Sequence, residues 1–233
     1  KVQKNLIVVT FGGNAYATPW IDKVKGLVHC WYLGSMAGES LTNVLSGKVN
    51  PSGKLPVTFG KDLDDYGFAH YGKEAYPGVD GQVDYKEDIY VGYRWFDTKH
   101  ITPRFPFGFG LSYTTFKYGK ATLSADKISS NGHISLRIPI TNTGKCFGKE
   151  IVQLYISDEQ CSVNRPAKEL KGFEKVSLNP GETKTVTFNI TPEQLQYYNS
   201  DKHSWVSEPG KFKVYVCASS SDIRSSVDFE LLP

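Results

Sequence analysis

From about residue 117 onward, apolar and polar residues alternate along several short runs of the chain. The alternating runs are residues 134–140, 152–156, 186–190 and 212–216. Because successive side chains of a β-strand point to opposite faces, each run predicts a strand with one buried face. Turn sequences rich in Gly, Pro and Asn separate the runs. This arrangement predicts an all-β sandwich of the immunoglobulin or fibronectin type III kind over residues 117–233.

The first 116 residues follow a different pattern. Residues 6–11 and 27–31 are continuous apolar runs, which are typical of parallel strands covered on both faces. A helix is expected over residues 37–46, with Gly47 in the left-handed conformation after its end. The sequence therefore predicts an α/β portion over residues 1–116, with a mostly parallel sheet and flanking helices.

Two parallel strands and two helices do not make a stable α/β layer by themselves. Each strand would leave a bare edge, and the apolar faces would stay uncovered. We therefore expect the remaining strands of this layer to come from sequence that precedes Lys1. The loop over residues 61–88 is long enough to serve as a lid or a domain-docking surface.

Charge and hydropathy exclude two classes of partner. The 233 residues carry a net charge of +3, and no basic block occurs, so nucleic acid is not an expected partner. No apolar run approaches the roughly 20 residues that span a bilayer. The amino terminus shows no signal segment.

The cysteines and histidines do not form a metal-binding pattern. None of the four cysteines belongs to a C-x-x-C pair, and the five histidines are scattered, so we predict neither a metal site nor a cofactor. Cys30 and Cys217 lie in apolar runs and are predicted core residues. Cys146 and Cys161 flank one predicted strand, and a disulfide between them stays open as an alternative to two free thiols.

Residues 84–97 collect carboxylates, aromatic side chains and one arginine. Paired carboxylates perform glycoside hydrolysis, so Glu87 and Asp88 suggest that chemistry. Adjacent residues of an extended segment point to opposite faces, however, and could not flank one bond. We expect instead a structural ion pair between Arg94 and Glu87.

Other candidate sites are incomplete in the sequence. Ser40 and Ser112 do not complete the G-x-S-x-G turn of a serine hydrolase. Residues 12–14, Gly-Gly-Asn, follow a predicted strand, where they either approach a ligand or form a plain tight turn. Asn189 begins an N-x-T sequon, although it lies within a predicted strand.

Three aromatic side chains near the carboxyl terminus allow two interpretations. Tyr197, Tyr198 and Trp205 either grip a polysaccharide or a partner, or pack against the edge of the sandwich.

Several segments, in this order, resemble the C-terminal part of family 3 glycoside hydrolases. The matching segments are residues 31–34 (WYLG), 37–39 (AGE), 44–58 (VLSGKVNPSGKLPVT), 91–94 (VGYR), 106–114 (PFGFGLSYT), 142–144 (NTG), 152–155 (VQLY) and 168–173 (KELKGF). The sequence departs from the family's usual pattern at residues 33–38 and at Cys217, where a glycine is common.

The resemblance implies an architecture and a reaction. Such enzymes have a barrel, an α/β sandwich domain and a fibronectin type III-like domain. They retain anomeric configuration, with an aspartate nucleophile on the barrel and a glutamate acid/base on the sandwich. No residue of this chain lines up with either carboxylate, so no catalytic residue is carried over, and the chain alone is expected to be an inactive scaffold.

The resemblance also implies a substrate. The expected parent protein is an exo-acting β-glucosidase that acts on an oligosaccharide or a β-glucoside, and the expected location is periplasmic or secreted. The alternatives are a β-xyloside as substrate, or a non-catalytic carbohydrate-binding or structural module.

Overall fold

The computed structural model describes residues 3–233 of the chain. Its first half contains a parallel sheet of two strands, β1 (Ile7–Thr10) and β2 (Gly26–His29). Helix α1 (Ala37–Leu45) follows, and Gly47 takes the predicted left-handed conformation with a φ of +75°. Parallel strands and flanking helices were expected here, so the fold class of this half is confirmed.

A short helix in the first half was not predicted. Helix α2 (Tyr93–Thr98) begins after Gly92, which has a φ of +61° and provides no side-chain cap. Residues 84–97 were treated as extended, and this was wrong over α2. Residues 55–59 form backbone hydrogen bonds with residues 104–109 without making a regular strand.

The second half is a sandwich of two main sheets and one small hairpin. One sheet has the order β5-β13-β12-β7-β8, and in the other β6 pairs with β3, β4 and β9. The elements are β3 (Phe116–Tyr118), β4 (Thr122–Leu123), β5 (Lys127–Ile128), β6 (Ile134–Asn142), β7 (Gly148–Asp158), β8 (Glu169–Leu178), β9 (Thr183–Ile190), α3 (Pro192–Leu195), β10 (Tyr197–Asn199), β11 (Ser204–Val206), β12 (Gly210–Ser219) and β13 (Asp222–Leu231).

The alternation in the sequence matches the burial in the sandwich. The apolar members of β6, namely Ile134, Leu136, Ile138 and Ile140, are all buried between the sheets. The main hydrophobic core consists of residues from Ala121 to Leu231, so it lies within this half. The predicted sandwich is therefore confirmed, with a core that its own two sheets enclose.

The small parallel sheet leaves much of its apolar surface in solvent. Around β1, the exposed fractions are 46% for Leu6, 54% for Ile7 and 55% for Phe11. Tyr32, just after β2, is 81% exposed. We call this set of four residues the open face. Exposed apolar side chains gathered at one place are common at protein–protein contacts and at ligand-binding grooves.

Candidate functional site

The carboxyl ends of β1 and β2 bring three polar side chains together. The hydroxyl of Thr10 bonds to the hydroxyl of Tyr16 and lies 3.0 Å from Nδ1 of His29. Burial lowers the pKa of His29, because the charged imidazolium would lose its hydration. Nε2 of His29 is buried and has no hydrogen-bond partner among residues 3–233, and the Trp31 and Phe59 rings contact the imidazole at edge-to-face angles.

The glycine turn after β1 is explained by packing. A Cβ atom on Gly13 would lie 2.8 Å from the ring of Tyr32. The aromatic ring therefore occupies the space beside the backbone that a ligand would have needed at this position. Between the two interpretations of residues 12–14, the contact favours the tight turn.

The predicted ion pair between Arg94 and Glu87 is wrong. Nη2 of Arg94 lies 3.1 Å from Oε1 of Glu169, in the second half of the chain. Glu87 lies in a turn with its side chain against Gly67, and Asp88 has a φ of +56°. The segment is bent at the two carboxylates rather than extended, so the argument from opposite faces does not apply to them.

Helix α2 instead joins the two halves of the chain. The hydroxyl of Tyr93 accepts a hydrogen bond from the Leu170 N–H at 2.8 Å, and the hydroxyl of Thr98 accepts one from the Ala167 N–H at 3.1 Å. Between these contacts, Oδ2 of Asp97 lies 2.6 Å from Nζ of Lys168. We call these contacts the α2 joint. Through the joint, α2 holds residues 167–170 by two backbone N–H groups and by the ammonium of Lys168.

The ionised groups of the joint are engaged with each other. Burial raises the pKa of Asp97, and the neighbouring Lys168 ammonium only partly offsets that effect. Burial also opposes the ionisation of Glu169, but Arg165, Lys171 and Arg94 outweigh it and lower the pKa of this carboxyl overall. Shifted pKa values often mark catalytic groups, yet here each shifted carboxyl has a cation within salt-bridge distance.

The remaining candidate residues have structural contacts. Ser112 donates a hydrogen bond to Oδ1 of Asn50, and Ser40 is exposed on α1. The amide oxygen of Asn189 accepts a hydrogen bond from Ser135 on the neighbouring strand. Within residues 3–233, no three His, Cys, Asp or Glu side chains gather closely enough to hold a metal ion.

All four cysteines are free. Cys30 and Cys217 are buried as predicted, and burial raises the pKa of the Cys217 thiol to about 12. Cys146 and Cys161 lie beyond opposite ends of β7, which has 11 residues. A strand of that length spans roughly 35 Å, whereas the Cα atoms of a disulfide lie within about 7 Å of each other. The bridge that the sequence left open is therefore absent.

The three candidate aromatic residues lie on the hairpin of β10 and β11. Tyr197 is half-buried, and its hydroxyl donates to Glu208 at 2.8 Å. Tyr198 and Trp205 are 51% and 64% exposed, directly opposite each other across the two strands. The interpretation as edge packing therefore fits Tyr197 and not the other two.

The sequence of each half matches a known protein-family model. Residues 1–113 match the glycosyl hydrolase family 3 C-terminal domain, and residues 150–220 match a fibronectin type III-like domain. The chain belongs to glycoside hydrolase family 3. It represents the C-terminal part of such a protein, as the motifs predicted.

Similar proteins in this family are β-glucosidases. A β-glucosidase of Bacteroides ovatus is 53% identical over all of this chain and 31% of its own length. The thermostable β-glucosidase B of Acetivibrio thermocellus is 47% identical over 96% of this chain and 29% of its own length. Among solved structures, the β-glucosidase DesR of Streptomyces venezuelae, in complex with D-glucose, superposes with a TM-score of 0.92 at 37% identity. That match covers 98% of this chain and 29% of DesR, so this chain spans about three-tenths of the relatives' length.

None of the helices over residues 3–233 combines the length and apolar character needed to cross a membrane.

Proposed function

We propose that this chain is the C-terminal part of a retaining, exo-acting β-glucosidase that removes terminal non-reducing β-D-glucosyl residues. The observation that carries the proposal is the end-to-end match of both halves to one continuous portion of β-glucosidases. Within that enzyme, these residues act as a scaffold for a catalytic site built elsewhere in the polypeptide.

The carboxylates of this chain support a scaffold role. A retaining glycosidase needs two carboxyl groups about 5 Å apart on opposite sides of one bond, one of them able to hold a proton. Asp97 and Glu169, which have shifted pKa values, are committed to Lys168 and Arg165. Glu87 and Asp88 are consecutive residues of one turn. These contacts support our assignment of the nucleophile and the acid/base to residues outside this chain.

The open face supplies the surface for those missing parts. Its apolar residues border a sheet of only two strands, and burying the half of each Leu6, Ile7 and Phe11 side chain that is in solvent is worth about 1 kcal/mol per residue. The remaining strands of the sandwich domain and the barrel are the partners proposed for this surface. A glucoside would bind in the barrel, held in place by this scaffold.

A chimera tests the proposal directly. The matched residues of the Bacteroides ovatus β-glucosidase are replaced by this chain, and hydrolysis of p-nitrophenyl β-D-glucoside by the chimera is measured beside that of the parent enzyme and of this chain alone. We expect turnover of the glucoside by the chimera and none by this chain alone. A folded chimera without activity would contradict the scaffold role, because the rest of the Bacteroides enzyme is unchanged in it.

Two matched substitutions separate docking from general stability. Ile7 on the open face and Ile223 on the sandwich are 54% and 50% exposed. In the chimera, Ile7→Asp should reduce glucoside hydrolysis at least tenfold, because it places a carboxylate in a buried contact, and Ile223→Asp should not. Turnover by the isolated chain that disappears in Glu87→Gln would refute the scaffold role.

A further inference from the structure

The hairpin of β10 and β11 is anchored to the sandwich through its inner face, and its outer face, with Tyr198 and Trp205, lies in solvent. On the inner face, Tyr197 is anchored by its hydrogen bond to Glu208, and the guanidinium of Arg165 lies 5.8 Å from the centre of its ring. Ser162 binds the same Glu208 carboxylate through its backbone N–H and its hydroxyl. These contacts fix the hairpin to the sandwich without using Tyr198 or Trp205.

The two outer rings form a corner. Their centroids are 5.7 Å apart, and their planes meet at 73°. In an edge-to-face pair, the edge of one ring contacts one face of the other. The remaining ring faces make no contact within the pair and are free to contact a ligand. More than half of each side chain is in solvent, although large aromatic residues gain free energy from burial.

The size of this surface argues against a protein partner. A specific protein interface buries about 800 Å² on each side, with some 20–30 residues. Each strand of the hairpin has three residues, so only one large side chain of each strand reaches the outer face. Two rings cover the area of one or two sugar units. Asn199 and Ser204 alternate with the two rings along the strands and so face the other side of the hairpin, while the exposed Asp201 and Lys202 supply polar groups in its turn.

We propose that Tyr198 and Trp205 form an accessory binding site for a β-1,4-linked glucose chain. In this polymer every hydroxyl group is equatorial, so the C–H bonds make two flat apolar faces that stack on aromatic rings, with the hydroxyls around the rim. An α-1,4-linked chain curls and presents no continuous flat face. The choice of glucose rests on the proposed function, whereas the platform itself rests on the geometry of the hairpin.

The test is affinity electrophoresis of the whole chain in native gels that contain hydroxyethyl cellulose, with soluble starch as the comparison. We expect retardation by the cellulose derivative only. Trp205→Ala should raise the dissociation constant for hydroxyethyl cellulose at least tenfold. Trp205→Phe should retain part of the binding, because it keeps an aromatic ring at this position. Tyr85→Ala is the matched control, because Tyr85 is 87% exposed but lies in the loop of the other half. Thermal melts confirm that each variant is folded.

Three results would overturn this site: no retardation of the parent chain, equal retardation of Trp205→Ala, or equal retardation in starch. A dimer in sedimentation experiments that Trp205→Ala dissociates would show that the pair holds a second copy instead. The outcome is separate from that of the chimera. An inactive chimera would overturn the proposed catalytic assignment, while loss of cellulose binding in Trp205→Ala would still establish the accessory site.

Discussion

Gly108 shows how a single residue fixes the contact between the two halves. Its φ is +77°, and its carbonyl accepts a hydrogen bond from the buried Gln153 amide at 3.1 Å. A Cβ atom there would lie 2.2 Å from Oε1 of Gln153. We expect Gly108→Ala to lower the free energy of unfolding by about 2–5 kcal/mol, from left-handed strain and overpacking together.

Gly47 is the matched control for that substitution, measured by urea denaturation. Its φ is +75°, but nothing lies within 4 Å of the position its Cβ would take. Gly47→Ala should therefore cost only the backbone strain, about 1–2 kcal/mol. Equal losses in the two variants would show that the Gln153 side chain moves aside at little cost and that the contact between Gly108 and Gln153 is looser than its geometry indicates.

His29 should make the stability of the chain depend on pH. Because burial lowers its pKa in the folded state, the unfolded chain takes up a proton first as the pH falls below about 6.5. The free energy of unfolding should therefore decrease as the pH falls below that value. The unfolded chain binds at most one proton more than the folded chain at His29, and the decrease ends once His29 is protonated in the folded state as well.

Thermal melts between pH 7.5 and 5.5 test this expectation. His29→Gln should flatten the dependence, whereas His133→Gln, at an exposed histidine of the sandwich, should leave it unchanged. A slope that both variants share with the parent would assign the pH dependence to other groups.

At the scale of elements, the α2 joint decides how firmly the sandwich is held. Tyr93 packs its ring against Phe107 and Tyr155 and uses its hydroxyl as acceptor for the Leu170 N–H. Tyr93→Phe keeps the ring contacts and leaves this half-buried N–H without its partner, which should cost about 1–3 kcal/mol in urea denaturation. Tyr113→Phe, which removes a hydroxyl from a side chain that is 52% exposed, should cost less than about 1 kcal/mol. Comparable losses would mean that water replaces the missing acceptor at α2.

The elements differ in how far the sequence predicts them. Strand β6 was predicted because its alternation is local and its burial repeats every second residue. Helix α2 was missed because it has six residues and no side-chain cap. The pairing of Arg94 with Glu169 could not be read from the sequence, because the two are separated by β3 through β7. Nothing in the local pattern ranks Glu169 above the nearer Glu87.

At the scale of the whole molecule, the two halves should differ in their ability to fold alone. The main core lies within residues 121–231 and is enclosed by two sheets, whereas the open face of the first half remains in solvent. Residues 117–233 alone should therefore melt cooperatively. Residues 1–116 alone should not, because their two-stranded sheet has no cover on its open face and the loops lose the α2 joint.

Near-ultraviolet circular dichroism of the two separate halves measures this difference, with the whole chain as reference. The sandwich half should keep the fixed aromatic signal of its core and lose it in one transition, at a temperature lowered by the missing joint. If residues 1–116 also gave a cooperative transition as a monomer, the open face would not need a partner. The scaffold would then be self-sufficient, and the proposed docking of a barrel and further strands against Ile7 would lose its physical reason.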